Sequence, residues 1–390
     1  NLRGQVWSRG FRPTQTRRLR STRARPTEES RLNILIVKLS SLGDVVHAMA
    51  ALQDIRRAFP YARIDWVVER GFVPLVRRCK GVHRVIPCEL RRWRESLFST
   101  ETRAAWRVFK QELQQTEYDA VIDLQGLSKS ALLSWLARLS PHGKRYGLAN
   151  QTEGSSFEAP ARWVAQVAVT LPAHSHAVTR SRELCAAALH YSLPVDLSFG
   201  LLAHTSHALP ATKNIALRTG LKGMVALVHG TSRADKEWPL AHWRELGQRL
   251  NAAGFGLALP HGSDAEEAVC HAIAKDLQHA QVWPRLALDA LTDNLANCVG
   301  VIGVDSGLSH VAVALDLLHV QIYNFDTAWR TGPLNAVLTG PPAAPLAGLP
   351  LPHADVAARQ RQCSVFARPC PSVDAVWQAW LGLLPGPLAT

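Results

Sequence analysis

The sequence predicts an α/β protein built from two doubly wound parallel sheets. Short apolar stretches alternate with segments of helical periodicity from residue 33, and the alternation starts again near residue 223 after a stretch without periodicity. Apolar strands separated by helices are typical of parallel sheets that are covered on both faces. The 390 residues also exceed what one hydrophobic core usually supports. We therefore expect two Rossmann-like domains of similar size with a crevice between them.

In the first half, the apolar pattern predicts strands and helices in alternation. The strands are 33–39, 62–69, 83–88 and 118–125, and the helices are 44–59, 102–116, 128–139 and 179–189. Residues 141–175 are rich in Gly, Pro and small side chains and have the weakest periodicity in the chain.

The second half repeats the alternation. The strands are 223–230, 255–260, 299–305 and 318–324, and the helices are 240–254, 264–277, 287–298 and 306–315. Gly254 suits the end of the first of these helices, because glycine adopts the left-handed conformation that often follows a helix.

These patterns place the domain boundaries. The first residues are rich in Arg and Ser and lack apolar periodicity, so we expect a disordered basic arm or sequence upstream of a misassigned start. A transit peptide and a nucleic-acid arm are the alternatives. The predicted division is a basic arm at 1–32, a first domain at 33–192, a connection at 193–222, a second domain at 223–372, and a C-terminal helix within 373–390 that packs back on the first domain.

Composition excludes several classes of protein. The net charge is +13, but no motif for reading bases accompanies it, so we expect no nucleic-acid partner. No apolar run approaches the roughly 18 residues of a membrane span, which predicts a chain that does not cross a membrane. The P-loop, the G-x-G-x-x-G fingerprint and a D-x-D triplet are missing, so neither a P-loop NTPase, nor a Rossmann dehydrogenase, nor a metal site of the D-x-D kind is indicated.

The seven cysteines are odd in number and scattered, and none forms a C-x-x-C pair. This spacing argues against a zinc ribbon and against a thioredoxin-like site. We expect free thiols in a reducing compartment, which indicates the cytoplasm.

The stretch "ILIVKLSSLGDVVH" (34–47) places polar residues directly after a buried strand. Ligands of open parallel sheets bind beyond the carboxyl ends of the strands, where the strand order reverses. Asp44 is therefore a candidate general base, Ser41 offers a hydroxyl, and Gly43 leaves room for a substrate. The spacing fits equally well an Asp44 that only caps the following helix.

Two stretches of the second half lie at equivalent places. "HGTSRADKEWP" (229–239) offers hydroxyls and positive charge that suit a diphosphate, and "GVDSGLSH" (303–310) opens a helix whose free N–H groups suit a phosphate. The alternatives are a loop that is charged for solubility and a histidine that faces the core. The candidates are Thr231, Ser232, Arg233, Lys236, Asp305, Ser306, Gly307 and His310.

Together, several stretches in this order resemble the ADP-heptose:lipopolysaccharide heptosyltransferases of glycosyltransferase family 9. They are "ILIVKLSSLGDVVHAMAAL", "RRWRESLFS", "YDAVIDLQGLSKSA", "TSRADKEWPLAHWREL" and "VDSGLSHVAVALD", within residues 33–325. The resemblance implies the GT-B architecture of two facing Rossmann-like domains. Within the family, the lysine of the first stretch and "DKEWP" favour the heptosyltransferase I group over the heptosyltransferase II group.

The resemblance implies transfer of L-glycero-D-manno-heptose from ADP-heptose to Kdo of Kdo-lipid A in the inner core, with inversion and with neither cofactor nor metal. It places the general base on Asp44. Ser41 is a further donor-binding candidate through its hydroxyl. The resemblance places the other donor-binding positions on Thr231, Ser232, Lys236, Glu266, Leu286, Asp305, Ser306, Gly307 and His310. Without the family, Glu266 is a favourable charge at a helix start and Leu286 a core residue.

An acceptor anchored in the bilayer implies peripheral contact with an anionic membrane surface on the cytoplasmic face. Arg91, Arg92 and Arg94 are the candidate acceptor contacts, around a Trp93 that is expected to be exposed at the lipid–water interface. The alternative is a solvated turn with Trp93 packed inward. Other functions stay open: transfer to the first heptose as in heptosyltransferase II, a nucleotide-sugar epimerase with His47 as an extra acid or base, or a non-catalytic binder.

Overall fold

The computed structural model describes residues 31–96, 99–204, 221–334, 337–339 and 360–384. The predicted basic arm lies outside the described residues except for its last two positions, and so do residues 205–220 of the predicted connection. The structure from Leu32 onward forms one compact unit that contains both sheets. The domain boundaries at 192 and 223 therefore remain predictions.

The first half contains a six-stranded sheet in the order β3-β2-β1-β4-β5-β6. All neighbouring strands are parallel, and β1 pairs with both β2 and β4, so the strand order reverses at β1. The strands are β1 (Asn33–Val37), β2 (Arg63–Glu69), β3 (Val82–Cys88), β4 (Glu117–Asp123), β5 (Arg138–Leu148) and β6 (Val167–Val169).

Helices cover both faces of this sheet. Those of the first half are α1 (Leu42–Ala58), α2 (Val73–Val76), α3 (Leu90–Glu95), α4 (Thr100–Leu113), α5 (Ser128–Leu136), α6 (Ala159–Val164) and α7 (Ala177–Leu189). Helix α1 packs against α7, which also contacts the sheet, and the apolar side chains of α1 from Val45 to Ile55 are buried. Helices α3, α4 and α5 cover the opposite face.

The second half contains a seven-stranded parallel sheet in the order β12-β13-β11-β10-β7-β8-β9, which reverses between β7 and β10. Its strands are β7 (Met224–Val228), β8 (Gly256–Leu259), β9 (Ala280–Val282), β10 (Gly300–Val304), β11 (Leu318–Tyr323), β12 (Val337–Thr339) and β13 (Gln362–Phe366). Its helices are α8 (Leu240–Ala252), α9 (Asp264–Ala274), α10 (Leu288–Ala296), α11 (Gly307–Ala314), α12 (Ala328–Thr331) and α13 (Val373–Leu383).

The predicted fold class is confirmed, and every predicted strand and helix has a counterpart. Strands β5, β6, β9, β12 and β13 were not predicted. In β5, the sequence "RLSPHGKRYGL" is polar and only its last two residues are buried, so the apolar signal that reveals a buried strand is missing. Strands β6, β9 and β12 have three residues each, too few to show a period.

The C-terminal helix corrects one prediction. Helix α13 packs against β11, β13 and α8 of the second half, and not back on the first domain. The ring of Trp380 is fully buried and meets Phe255 edge-on at 5.8 Å between centroids. Its apolar face therefore belongs to the core of the second sheet. Residues 385–390 lie outside the described residues.

The two halves share one central apolar cluster, to which Ile36 and Val45 contribute from the first half and Ala226 and Val311 from the second. A buried ion pair also joins them, because Arg78 Nη2 donates to Asp293 Oδ2 at 2.8 Å.

Across the described ranges, no helix combines the length and the apolarity that crossing a bilayer requires.

Candidate active site

The site lies where the starts of α1 and α11 meet. A Cβ atom on Gly43 would lie 2.5 Å from His310 Cδ2, and one on Gly307 would lie 2.7 Å from Leu42 Cβ. Real Cβ atoms do not approach so closely, so each helix start needs glycine to admit the other. The expectation that Gly43 leaves room for a substrate is corrected, since the His310 ring occupies that space.

Asp44 lies in the first turn of α1, beyond the carboxyl end of β1. Ser41 donates to Asp44 Oδ2 through its backbone N–H at 3.2 Å and its hydroxyl at 3.0 Å. The capping alternative is correct in part, because Ser41 is the N-cap residue and Asp44 completes the capping box from the third position of the helix. The side chain of Asp44 nevertheless remains 35% exposed, so a carboxylate that caps the helix is also open to the crevice.

The charge of Asp44 depends on a buried lysine. Lys38 lies with Nζ 3.8 Å from Asp44 Oδ1 and donates to the carbonyl of Leu124 at 3.1 Å. Burial alone would raise the pKa of Asp44, but Lys38 and the two hydrogen bonds from Ser41 outweigh it, so this pKa lies below its ordinary value. Burial lowers the pKa of Lys38, and Asp44 opposes that shift. Asp44 is therefore ionised at neutral pH.

Across the crevice from Asp44, the Asp305 carboxylate lies at the start of α11 and contacts two basic side chains. Its carboxylate accepts from Lys236 Nζ at 2.6 Å and lies 3.4 Å from His310 Nε2. Thr231 donates its hydroxyl to the carbonyl of Asp305 at 3.3 Å. Burial alone would raise the pKa of Asp305, but His310 and Lys236 outweigh it and hold that pKa well below its usual range. Cations beside a helix N-terminus favour an anionic ligand.

The remaining predicted donor residues surround this point unevenly. The Oγ of Ser306 is buried and has no hydrogen-bond partner in the described structure, whereas Ser232 is exposed. Glu266 accepts from the N–H of Gly262 at 2.7 Å, and its Oε1 lies 2.7 Å from the place of a Cβ on Gly230, in the loop after β7. Leu286 is half-buried against the central apolar cluster, as a core residue would be.

Three histidines close the crevice, and sequence analysis missed one of them. The His47 ring lies 4.3 Å from that of His310 and 6.1 Å from that of His176. His176 Nδ1 accepts from the N–H of Val178 at 3.1 Å, and its Nε2 donates to the carbonyl of Gly332 at 2.8 Å. Only a neutral ring with the proton on Nε2 satisfies both contacts. His176 thus starts α7 and ties it to the second half.

Comparison with known proteins agrees with this geometry. The profile of glycosyltransferase family 9 (heptosyltransferase) matches residues 106–341. Lipopolysaccharide heptosyltransferase 1 of Pseudomonas aeruginosa is 38% identical over 314 residues, which covers 79% of this chain and 81% of the relative. This chain belongs to the heptosyltransferases of glycosyltransferase family 9.

Solved structures of this heptosyltransferase family extend the likeness to the fold. The Escherichia coli heptosyltransferase WaaC with ADP has a TM-score of 0.72 and 32% identity, covering 89% of this chain and 98% of that one. The same protein with ADP-2-deoxy-2-fluoro heptose has a TM-score of 0.69. Lipopolysaccharide heptosyltransferase 2 of Escherichia coli is more distant, at 25% identity over 78% of this chain and 86% of the relative.

In this heptosyltransferase, the predicted acceptor arginines and the tryptophan among them differ in exposure to solvent. Arg91, Arg92 and Arg94 are exposed on α3. Trp93 is 5% exposed, and its ring lies 5.4 Å from those of Trp106 and Phe109. The expectation that Trp93 is exposed is wrong, because the three rings form an aromatic core beneath the helix. The inward-packed alternative is correct.

The cysteines are free thiols, as predicted. Burial raises the pKa of several of them, to about 12 for Cys79, Cys270, Cys298 and Cys363. Protonated, buried thiols are inert.

Among the side chains that the structure describes, no three His, Cys, Asp or Glu residues are grouped so as to hold a metal ion.

Because buried histidines are neutral in the folded protein, we expect its free energy of unfolding to fall in acid. Burial lowers the pKa of His176 from 6.5 to about 4, so between these values the unfolded chain binds more protons than the folded one. The free energy of unfolding should therefore fall as the pH drops from 6.5 to 4, by at most about 3 kcal/mol at roughly 1.4 kcal/mol per unit.

Urea melts at pH 7 and pH 4 measure this effect, with His176→Gln as the matched variant. The stability advantage of the wild type over the variant should shrink in acid, because carboxylates titrate alike in both proteins. An advantage that stays constant across this range would show that His176 carries no proton-linked stability.

Proposed function

We propose that the protein transfers L-glycero-D-manno-heptose from ADP-heptose to a Kdo residue of Kdo-lipid A, as a heptosyltransferase I of lipopolysaccharide inner-core synthesis. The observation that carries the proposal is an ionised Asp44 facing, across a crevice, the Lys236 ammonium group and the His310 ring, which both lie against Asp305. The higher identity to a heptosyltransferase 1 than to a heptosyltransferase 2 supports the choice of acceptor.

In the proposed reaction, an acceptor hydroxyl attacks the anomeric carbon on the face opposite to the ADP group. Asp44 takes the proton of that hydroxyl while the new C–O bond forms. The bond between the anomeric carbon and the diphosphate oxygen breaks, and ADP leaves with the electron pair. Lys236, His310 and the N-terminus of α11 stabilise the negative charge that develops on the leaving diphosphate. One carboxylate base is enough for such a single inversion.

The donor contacts follow from the same arrangement. Asp305 contacts both Lys236 and His310, so it acts as a positioning residue at the edge of the diphosphate site. We assign hydroxyls to the phosphates, the Glu266 carboxylate to the ribose hydroxyls and Leu286 to the adenine. The hydroxyl set comprises Ser41, Thr231, Ser232 and Ser306, together with the backbone at Gly307.

An epimerase is the second candidate, and the geometry disfavours it. That chemistry requires further acid and base groups beside Asp44, and His47 is the available one. Its ring is 5% exposed and packed on His310. Burial lowers the pKa of His47 well below its ordinary value, so His47 cannot supply a proton at neutral pH. A non-catalytic binder would need no ionised carboxylate open to the crevice.

We place the reaction at the cytoplasmic face of the inner membrane, because lipid A anchors the acceptor in a bilayer. The exposed Arg91, Arg92 and Arg94 can meet the phosphates and Kdo carboxylates of that surface. With Trp93 buried, this contact rests on charge alone.

Asp44→Asn should lower kcat by about 100- to 10,000-fold, the usual range for a positioned general base, because the amide cannot accept a proton. The matched control is Asp374→Asn, which removes a carboxylate from the first turn of another helix, α13, and should leave kcat unchanged. ADP release from ADP-heptose in the presence of Kdo-lipid A measures both. A nearly normal kcat in Asp44→Asn would mean that Asp44 only caps α1.

Lys236→Ala should weaken ADP binding by about 1–3 kcal/mol, because it removes a charge-assisted contact to the diphosphate. Titration calorimetry with ADP measures the change, and Arg233→Ala in the same loop is the control, since Arg233 is exposed and pairs with Asp235.

The rate of heptose transfer by the wild type should be unchanged by EDTA. Activity that EDTA abolishes and magnesium restores would overturn the metal-free mechanism.

The Arg91/Arg92/Arg94 triple alanine variant should reduce binding to anionic vesicles and raise the acceptor KM while leaving ADP-heptose affinity unchanged. Vesicle binding should weaken as salt is added, because such attraction falls off within about 8 Å at physiological ionic strength. Sedimentation with vesicles measures it. The charge-matched control replaces the exposed Arg244, Arg285 and Arg361 of the second half. Equal losses for both substrates would assign the α3 arginines to the fold.

A further inference from the structure

Two guanidinium groups meet on one short loop between β5 and α6. Arg180 of α7 donates from Nη1 to Thr152 Oγ1 at 3.0 Å. Arg330 of α12 covers Gly154, where any Cβ atom would collide with the guanidinium. Gly154 also has a φ of +68°, a conformation that favours glycine. Residues two positions apart thus bring together an arginine from each half of the chain.

Neither guanidinium forms an ion pair with a carboxylate of the described residues. Buried arginines are normally paired, and the other two among the described residues are: Arg78 Nη2 lies 2.8 Å from Asp293, and Arg182 Nε, two residues along α7 from Arg180, lies 2.6 Å from Asp54. Arg180 is 8% exposed. In the described part of the chain, no ion pair joins Arg180 or Arg330 to an acidic side chain.

The charges around the pair leave it cationic. Glu153, which lies between the two contact points, is exposed and pairs with His174 at 3.2 Å. Burial lowers the pKa of Arg180, Asp44 opposes that shift, and the positive charge of Arg330 adds to it. Two like charges held together in a partly buried place are unfavourable unless an anion lies between them. The neighbourhood of Asp44 indicates which anion this is.

We propose that Arg180 and Arg330 bind the carboxylate of the sugar-acid acceptor and thereby hold its hydroxyl at Asp44. This rests on the function proposed above, in which the acceptor Kdo carries a carboxylate on the same ring as its hydroxyls. Planar guanidinium groups bind carboxylates through paired hydrogen bonds, which fixes the orientation of the ring as well as its position. The donor diphosphate has its own hydrogen-bond donors in Lys236 and His310.

The bound carboxylate would join the two halves. Arg180 belongs to a helix that packs on α1, which carries Asp44, while Arg330 is followed by Thr331, whose hydroxyl lies 3.4 Å from Asp305 Oδ1. An acceptor held by both arginines therefore lies between the base and the donor side. This is the geometry that direct transfer requires.

The test compares two acceptors in three proteins. The acceptors are Kdo-lipid A and the same molecule with the Kdo carboxyl reduced to a hydroxymethyl group, and the proteins are the wild type, Arg180→Gln and Arg330→Gln. Each substitution should raise the KM for Kdo-lipid A by about tenfold or more, as expected for the loss of a charge-assisted contact. The wild type should lose a similar factor on the reduced acceptor, and the variants should lose little more.

Controls separate this role from folding and from donor binding. The Kd for ADP should stay within about twofold of the wild type, and Arg162→Gln, at an exposed position on α6, should leave both KM values unchanged. Arg180→Lys keeps the positive charge and should recover part of the affinity. If Arg180→Gln fails to fold, the half-buried Arg330 carries the comparison alone.

Several outcomes would overturn the inference. Variants that still discriminate between the two acceptors as strongly as the wild type do not bind the carboxylate through these arginines. Weakened ADP binding with an unchanged acceptor KM would assign the pair to the donor diphosphate. A wild type that transfers heptose equally well to both acceptors would also refute it. A wild type that transfers none to Kdo-lipid A would instead refute the proposed function.

Discussion

The close approach of two helix starts is the constraint on which this site depends. Helix α1 begins with Leu42 and Gly43, helix α11 begins with Gly307, and each glycine lies against a side chain of the other half. Any larger residue at either position would push the helices apart. Because each helix follows the central strand of its sheet, their contact brings the carboxyl ends of β1 and β10 together. The shared apolar cluster and the Arg78–Asp293 ion pair stabilise the same contact.

Electrostatics in the crevice follow from that contact. Two carboxylates, Asp44 and Asp305, lie on opposite sides, and each is held ionised by a nearby cation, Lys38 in one case and Lys236 in the other. The buried His47 and His176 have lowered pKa values, so they add no positive charge to the crevice at neutral pH. A base and an anion site can therefore coexist at short range. Their separate cations keep the acceptor side and the donor side distinct.

The cationic groups fall into sets with different surroundings. Arg182 and Arg78 are buried and paired with carboxylates, which makes them part of the fold. The arginines of α3 are exposed on an outer helix, where they can meet a charged surface. Arg180 is buried within reach of the Asp44 charge but forms no ion pair with the described carboxylates, which distinguishes it from both sets. Burial and pairing, rather than charge alone, separate structural arginines from those available to a ligand.

The sequence by itself determined the alternation of buried strands and helices, and with it the fold class. It also placed Asp44, Lys236 and Asp305 at the carboxyl ends of strands, because strand periodicity and polar breaks are local properties. The polar strand β5 was not predicted for the same reason, since its pairing depends on a neighbouring strand and not on its own sequence pattern.

Only the tertiary structure decided how distant side chains meet. Trp93 stands between arginines in the sequence, yet it turns inward onto Trp106 and Phe109, one helix further along. His176 reaches Gly332 and Arg330 reaches Gly154, each across more than a hundred residues of chain, and Arg180 joins Arg330 at residues 152–154. Periodicity reports which face of an element is buried. It carries no information about which remote residue covers that face, because packing between elements sets that contact.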